Sequence, residues 1–567
     1  MRRRVHATQF LSLAVFLLLL MYGAGGCLAA AHRRAFDEVL WGSGRPPTAM
    51  VRELPRKGQG ATQAYTVAKA GEENSGWAPI RIAVSTEDLT DPRKRCMEEG
   101  EMKPDFRGQN SECWKEDVLT AEMTKALVEE TVLVAIKLHA ERLLVQRMKT
   151  SLVVPRFTAE HGNCQYFKVP EEHHTVGLKD TDMVLYVASG SNGETWAIPC
   201  ALGKDDRPIA GALHILPFNK LGVMHSARAT AHAIAHALGF SMEQMKKHDM
   251  LLNVTDVRGG SSPVTVVKSI VTRNKAKRHY GCNTLKGMEL RNYYGGAYVW
   301  SLRNAKDELM SPFGATVAGY YTALTMAAFE DLGYYKAVWG MEEPMAWGNN
   351  SGCEFLDRPC SGKTPTTYPG MFCDKNDELS IRCTSNRQAI GTCNLDVEYT
   401  VYGIKETCNA IFPPDNSKHH LFCTEEGPNT LPGSLHGKGS WCLDAEPFML
   451  MSDDDASNWK LTAPAVCAMV QCEEGKVKVK YLGGSNFEPC PEGEFITPKS
   501  PHFKGGRRIK CPRYEEVCTI AADGSSLINL KKGDHGKDDH DGCAAAVVLS
   551  SLLLAVIPLV VAVTLPL

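Results

Sequence analysis

The spacing of apolar positions changes along the chain and predicts a small set of elements. Ile80 to Val84 (IRIAV) is a short apolar run and predicts a strand, as do Met183 to Ala188 (MVLYVA) and Ile209 to Leu216. Val118 to Gln146 carries apolar residues at helical spacing (Val118, Met123, Leu127, Val132, Ala135, Leu138, Leu143) and predicts one long amphipathic helix. Val223 to Leu238 is rich in Ala and predicts another, with Gly239 placed to end it in a left-handed turn. Ala323 to Leu332 (ALTMAAFEDL) predicts a further helix, closed by Gly333. Beyond Cys353, prolines, glycines and cysteines punctuate short segments and no long helix is expected. That region reads as a separate strand-and-loop domain held by disulfides. No internal repeat is found.

The two ends point to the secretory pathway. Arg2, Arg3 and Arg4 precede an apolar stretch from Phe10 to Met21, and small residues follow at Ala29, Ala30 and Ala31. This is the layout of a cleaved signal; as an anchor the stretch falls short of the ~20 residues needed to span a bilayer. Ala544 to Leu567 is an uncharged terminal tail preceded by a polar spacer, Lys531 to Asp541. Spacer and tail fit a glycolipid-anchor signal, with a plain transmembrane helix as the alternative. Gly524, Ser525, Gly533 and Gly542 are candidate attachment sites. Residues His32 to about Glu72 read as a pro-segment with little periodicity.

Composition narrows this picture. At 567 residues the chain has room for roughly three or four domains. Lys+Arg 63 against Asp+Glu 65 gives a net charge of -2, so no basic excess argues for a nucleic-acid partner. Of 20 cysteines, Cys27 leaves with the signal and Cys543 with the tail, and an even 18 remain. Thirteen of them lie from Cys353 to Cys518 and five lie upstream. Both counts are odd, so full pairing needs a bridge across the division, and Cys282 to Cys353 is the candidate. Asn253 (N-V-T) and Asn349 (N-N-S) are glycosylation acceptors suited to surface loops.

One helix carries candidate chemistry. His232 and His236 are four residues apart, so both imidazoles leave one helix face a turn apart and can reach a shared metal ion. His225 falls on the same face but two turns away, about 10 Å by helical rise, too far to join them. A zinc hydrolase needs three protein ligands, an open position for water, and a base, normally the Glu after the first His in H-E-x-x-H. Here that position is Ala233, and the motif reads H-A-I-A-H.

ATAHAIAHALGFS (Ala229 to Ser241) resembles the active-site helix of the leishmanolysin family, surface zinc endopeptidases of the metzincin clan. The likeness continues in IRIAVSTEDLTDP from Ile80, YGC from Tyr280, RNAKDELMSP from Arg303, GYYTALTMAAFEDLGYY from Gly319 and MAWGNNSGCEFL from Met345. The resemblance implies an α+β fold: a metzincin-like N-terminal domain with a mixed sheet and the zinc helix, a central domain with a methionine turn, and a disulfide-rich, mostly β and loop C-terminal domain. The expected boundaries are signal 1–31, pro-segment 32–72, N-terminal domain 73–242, central domain 243–355, C-terminal domain 356–525 and anchor signal 526–567. By the same resemblance His232 and His236 match two zinc ligands, Gly239 the turn after them, and Met310 the methionine turn.

Three positions depart from the family pattern. The general-base Glu matches Ala233, the third His ligand matches Val299, and the pro-segment thiol that caps the zinc matches Arg34. Glu243, His279 and Tyr298 are the nearby residues weighed as replacements, and none is expected to serve. The expectation is a cell-surface pseudoprotease, glycolipid-anchored on the extracellular face, that holds zinc weakly and acts by adhesion or by binding extracellular or host proteins. The alternative is an active zinc metalloendopeptidase cleaving surface or extracellular proteins; a third is a diverged gene copy of little function. The S-R-Y-D adhesion segment of some relatives falls at Lys220-Leu221-Gly222-Val223, so that contact does not transfer.

Overall fold

A computed structural model describes residues 48–51, 62–68 and 76–528, apart from 192–194, 218–221, 261, 293–297, 313–316, 361–367, 369, 374–380, 395–397, 402–403, 414–421, 426–432, 452–459 and 504–505. The expected signal, the Arg34 position, Gly533, Gly542 and the apolar tail lie outside the described residues.

A six-stranded mixed sheet organises the N-terminal part. Its strands are β1 (Thr48–Val51), β2 (Thr62–Ala68), β3 (Ile82–Ser85), β5 (Met183–Ala188), β6 (Trp196–Leu202) and β7 (Pro208–His214), in the order β1-β2-β3-β5-β7-β6. β5 runs parallel to β3 and β7, and the remaining pairs are antiparallel. β1 and β2 fall inside the expected pro-segment, where the sequence shows little periodicity.

Every residue of β5 and β7 is buried, as expected for strands covered on both faces. The strand period of two divides their side chains between two cores. Ile82, Val84, Met183, Leu185, Val187 and Leu213 join the main cluster with the helices, whereas Ala83, Val184, Tyr186, Ala188, Ala210 and Ala212 pack with Phe106 and Leu152. At the start of the parallel pair, Arg81 Nε and Nη2 donate to Asp182 Oδ2 and Oδ1 at 2.9 and 3.0 Å, a buried bidentate contact between β3 and β5.

The long helix expected over Val118–Gln146 is shorter and ends in a strand. α1 (Ala121–Ala126) starts at Thr120, whose hydroxyl accepts from Met123 N, and passes through a π-helical turn (Leu127–Val132) into α2 (Leu133–Ala140). Leu143–Gln146 is β4, paired with Trp77–Pro79 and Lys336–Ala337. The L-L-V run there satisfies helical spacing and strand propensity alike, and strand partners remote in sequence decide between them.

α3 (Gly222–Ala237) follows the sheet, and α4 (Met242–Lys247) follows α3. A four-stranded antiparallel sheet comes next: β8 (Leu251–Val254), β9 (Val264–Val267), β10 (Met288–Asn292) and β11 (Tyr298–Trp300). α5 (Ile270–Tyr280) lies between β9 and β10, and α6 (Ala323–Asp331) closes this part, with Gly333 at φ +85°. Both glycosylation acceptors are exposed; Asn253 sits on strand β8 rather than on a loop, its Oδ1 accepting from Thr265 Oγ1 at 2.9 Å.

Glu289 on β10 anchors this region. Arg258 Nη1 and Nη2 bond its two oxygens at 3.0 and 3.1 Å, and Arg291 Nη2 lies 2.6 Å from Oε1. Burial alone would raise its pKa, but the two guanidinium groups outweigh burial and hold it at about 2. A depressed folded pKa gives stability that is present above the unfolded carboxyl value and lost as pH falls toward 2. Acid titration of the melting temperature of Glu289→Gln beside the parent should therefore show less loss below about pH 4.5 in the variant.

The C-terminal part is β-rich. β12 (Ile381–Cys383), β13 (Ile390–Asn394) and β14 (Ala410–Phe412) form one sheet; β15 (Ser440–Met451), β16 (Lys460–Glu473) and β17 (Lys476–Lys480) form the heart of another, and α7 (Tyr514–Val517) follows. All 18 cysteines from Cys96 to Cys518 pair into nine disulfides. Cys282 is bonded to Cys353, and six bridges lie wholly beyond Cys353. The main hydrophobic cluster nevertheless runs from Ile80 to Ile520, through all three expected domains.

Candidate metal centre

The candidate centre is built on α3, whose small residues let it sit close to its neighbours. Ala227, Ala231, Ala233, Ala235 and Ala237 are all buried. His139 of α2 is buried beside it, bonding Ala231 O at 2.9 Å through Nε2 and the Tyr321 hydroxyl at 3.0 Å through Nδ1. Burial pushes its pKa down to about 3, so it packs as a neutral ring.

The two motif histidines converge. His232 Nδ1 lies 2.7 Å from Leu309 O, and His236 Nδ1 lies 2.8 Å from Phe240 O. A carbonyl only accepts, so each neutral ring carries its hydrogen on Nδ1 and presents a lone pair at Nε2. The two Nε2 atoms are 3.2 Å apart. Desolvation pushes His232 down to about 3 and lowers His236. Two lone pairs held this close repel unless a cation lies between them.

The surroundings are assembled by α3, the turn after it and the Met310 loop. Gly239 follows the helix at φ +109°, and a Cβ there would stand 2.7 Å from the Tyr334 hydroxyl. Gly239→Ala should cost about 1–3 kcal/mol through backbone strain and that clash, read as a lowered melting temperature. Phe240, whose carbonyl holds His236, packs edge-on to Trp300 of β11 at 5.1 Å. Trp300 N donates to Met310 O at 2.7 Å, and Met310 N donates to Glu308 Oε2 at 2.5 Å. Burial raises Glu308 to about 7 despite its bonds to Met310, Thr325 and Thr322.

Val299 therefore stands one residue from the strand position that grips the Met310 loop, and it is buried at 1 % exposure. Ala233 is 2 % exposed and packs in the main core. Glu243 is exposed on α4, His279 bonds Trp347 O at 2.9 Å, and Tyr298 pairs with Asn292 at the start of β11. His225 is partly buried two turns up α3. Among the described residues no group of three or more His, Cys, Asp or Glu side chains is arranged to hold a metal.

Comparison with known proteins decides the family. The leishmanolysin peptidase model matches residues 37–524. This chain belongs to the leishmanolysin family. The leishmanolysin of Leishmania major is 34% identical over 511 residues, covering 85% of this chain and 82% of the relative. That of Leishmania donovani is 34% identical over 526 residues, covering 87% and 86%. A leishmanolysin-like peptidase of Caenorhabditis elegans is 29% identical over 283 residues, covering 39% and 42%.

The family's zinc finds an incomplete fit in this leishmanolysin homologue. Two imidazoles bring their Nε2 atoms together, but a closed tetrahedral site takes four ligands and a hydrolytic one three plus water. Val299 and Ala233 offer only methyl groups, and no step of peptide hydrolysis can be derived from them.

Sequence reading did not find the groups that hold α3 in place. Arg228, four residues before His232, is buried and donates to both oxygens of Glu343, at 2.5 and 3.0 Å. It also donates to Gly319 O at 3.0 Å and, through Nε, to Gly524 O at 2.6 Å. Arg142 Nη2 reaches Glu343 Oε1 at 3.4 Å and Ser526 Oγ at 2.8 Å. Burial pushes Glu343 up, but the two arginines outweigh burial and keep it below its usual range. The end of the C-terminal part is thus pinned to the histidine helix. An arginine amid buried alanines was the available signal; the position of its partner was not readable.

Proposed function

We propose that this leishmanolysin-family protein is a pseudoprotease that acts at the cell surface by adhesion or by binding extracellular or host proteins. The reading is supported by Ala233, which stands where H-E-x-x-H has its Glu, and by Val299, which the family resemblance puts at the third-ligand position. Without a base the water has no acceptor for its proton, and that loss typically costs 10²–10⁴-fold in rate. The converging Nε2 pair supports some remaining affinity for a metal ion, with zinc held weakly because two positions of its shell lack protein donors.

Surface attachment through a glycolipid belongs to the same reading. Gly524 and Ser525 are poor attachment points, because their carbonyls accept from Arg228 and Ser525 is bonded to Asp523. That support shifts the choice to Gly533 or Gly542. Among the described residues no helix is long and apolar enough to cross a membrane.

The test is hydrolysis of a quenched peptide library by the purified mature ectodomain, with metal content measured on the same sample. Silence with substoichiometric zinc is expected. Chelator-sensitive cleavage would favour the active metalloendopeptidase and a base and ligand not identified among these residues.

A further inference from the structure

The disulfide-rich C-terminal part holds a cavity of about 530 Å³, within the range of small-ligand pockets. Its charged wall consists of Arg382, Arg387, Arg513, Asp444 and Glu516. Its apolar wall includes Trp347, Met371 and Ile411. Among the described residues, three guanidinium groups and two carboxylates line this wall.

Arg387 is the centre of that wall, and the chain goes to some length to present it. It sits in the turn between β12 and β13 at φ +59°, a left-handed conformation that residues with a side chain rarely adopt. The turn is locked on every side. Thr384 N donates to Ala389 O at 2.9 Å, Cys442 N donates to Arg387 O at 2.7 Å, and the Cys383–Cys442 disulfide ties the turn to β15. Lys306 Nζ holds Ser385 Oγ at 3.2 Å.

The guanidinium is paired with two carboxylates, but neither pairing is ideal. Its Nη2 is 3.4 Å from Glu516 Oε2, and Glu516 is shared with Arg513, 3.1 Å away. Its Nη1 is 3.0 Å from Asp444 Oδ2 but makes no aligned hydrogen bond, and the atom is buried. Asp444 is 46 % exposed and so is able to swing out, whereas the Arg387 side chain is 16 % exposed and fixed. A buried charged donor with a misaligned acceptor favours any carboxylate that offers better geometry.

We propose that this cavity binds a short acidic peptide segment of a partner protein. The partner's carboxylate takes the place of Asp444 on Arg387, and an adjacent apolar side chain lies against Trp347 and Met371. Asp444 is then an internal stand-in for the ligand. The mixed wall favours a peptide over a sulfated polysaccharide, because Asp444 and Glu516 repel a polyanion. This site is independent of the His232–His236 pair and does not rest on loss of peptidase activity.

The test uses the mature ectodomain and a fluorescent peptide, Gly-Leu-Phe-Glu-Gly, beside its Gln analogue and a heparin competitor. Saturable binding of the Glu peptide, at least about tenfold weaker for the Gln peptide, is expected, since only the charged carboxylate can displace Asp444 from the guanidinium. Arg387→Gln should weaken binding by a similar factor and Asp444→Ala should tighten it about threefold or more, by removing the competing carboxylate. If Arg387→Gln fails to fold, Arg513→Gln, at a half-exposed residue, and Asp444→Ala still decide the matter. Equal binding of the Glu and Gln peptides, no gain in Asp444→Ala, or binding of heparin in preference to the peptide would overturn the proposal.

Discussion

Ala233→Glu combined with Val299→His is expected to give an ectodomain that holds about one zinc per chain and cleaves peptides in a chelator-sensitive way. The histidine helix already presents two Nε2 atoms 3.2 Å apart with their tautomers set by Leu309 and Phe240. The added imidazole completes a three-nitrogen set, and the added carboxylate accepts the proton from the attacking water. Restoring the base alone accounts for 10²–10⁴-fold, about 3–5 kcal/mol of barrier, once a metal is bound. Val299 is buried, so the larger imidazole adds an overpacking cost of about 1–3 kcal/mol unless a bound metal offsets it.

The single variants separate the contributions. Ala233→Glu places a carboxyl in a site that is 2 % exposed without a cation to meet it, so it should lower the melting temperature and leave cleavage near background. Val299→His alone should raise zinc content with little cleavage. Measured zinc stoichiometry, melting temperature and hydrolysis of a quenched peptide, taken together on all four proteins, check each statement. Cleavage recovered by Ala233→Glu alone would show that a third ligand is already present and that Val299 does not occupy its place.

Glu343→Ala should be among the most damaging substitutions outside the disulfides. It leaves Arg228 and Arg142 buried without their carboxylate, and removing one partner of such a cluster costs about 3–5 kcal/mol. Glu343 Oε2 also accepts from Tyr321 N at 2.8 Å, so a backbone donor loses its acceptor too. The expected result is a marked fall in melting temperature. Because Arg228 bonds Gly524 O and Arg142 bonds Ser526 Oγ, freeing the two arginines should also loosen the chain end. Limited proteolysis should then cut after Thr519 earlier than in the parent. A melting temperature within a degree or so of the parent would mean that the pinning is not a stabilising link.

The main sheet and the histidine helix were legible because their patterns are local. MVLYVA at Met183–Ala188 is a continuous apolar run, and it forms a strand buried on both faces with those same bounds. The helix expected over Val223–Leu238 is observed over Gly222–Ala237, where all its Ala positions but Ala229 are buried. Leu143–Gln146 was misread as helix because L-L-V-Q satisfies both periods, and its strand partners lie at Trp77–Pro79 and Lys336–Ala337. The strands at 48–51 and 62–68 were missed for a related reason: neither segment alternates clearly, and pairing defines them.

The chemistry divides along the same line. Sequence by itself determined that the chain carries H-A-I-A-H, with Ala233 where H-E-x-x-H has a carboxylate, since that is a fact of residue identity. It also showed the kinship that gives that absence its meaning. Only the tertiary structure decided which ring nitrogens of His232 and His236 meet, because the carbonyls that set their tautomers include Leu309, 77 residues from His232. It alone joined Arg228 to Glu343, 115 residues on, and to Gly524, 296 residues on. The cavity around Arg387 likewise draws on segments from Trp347 to Glu516. Periodicity reports which face of an element is buried, but it carries no information on which distant segment covers that face; side-chain packing between elements supplies it.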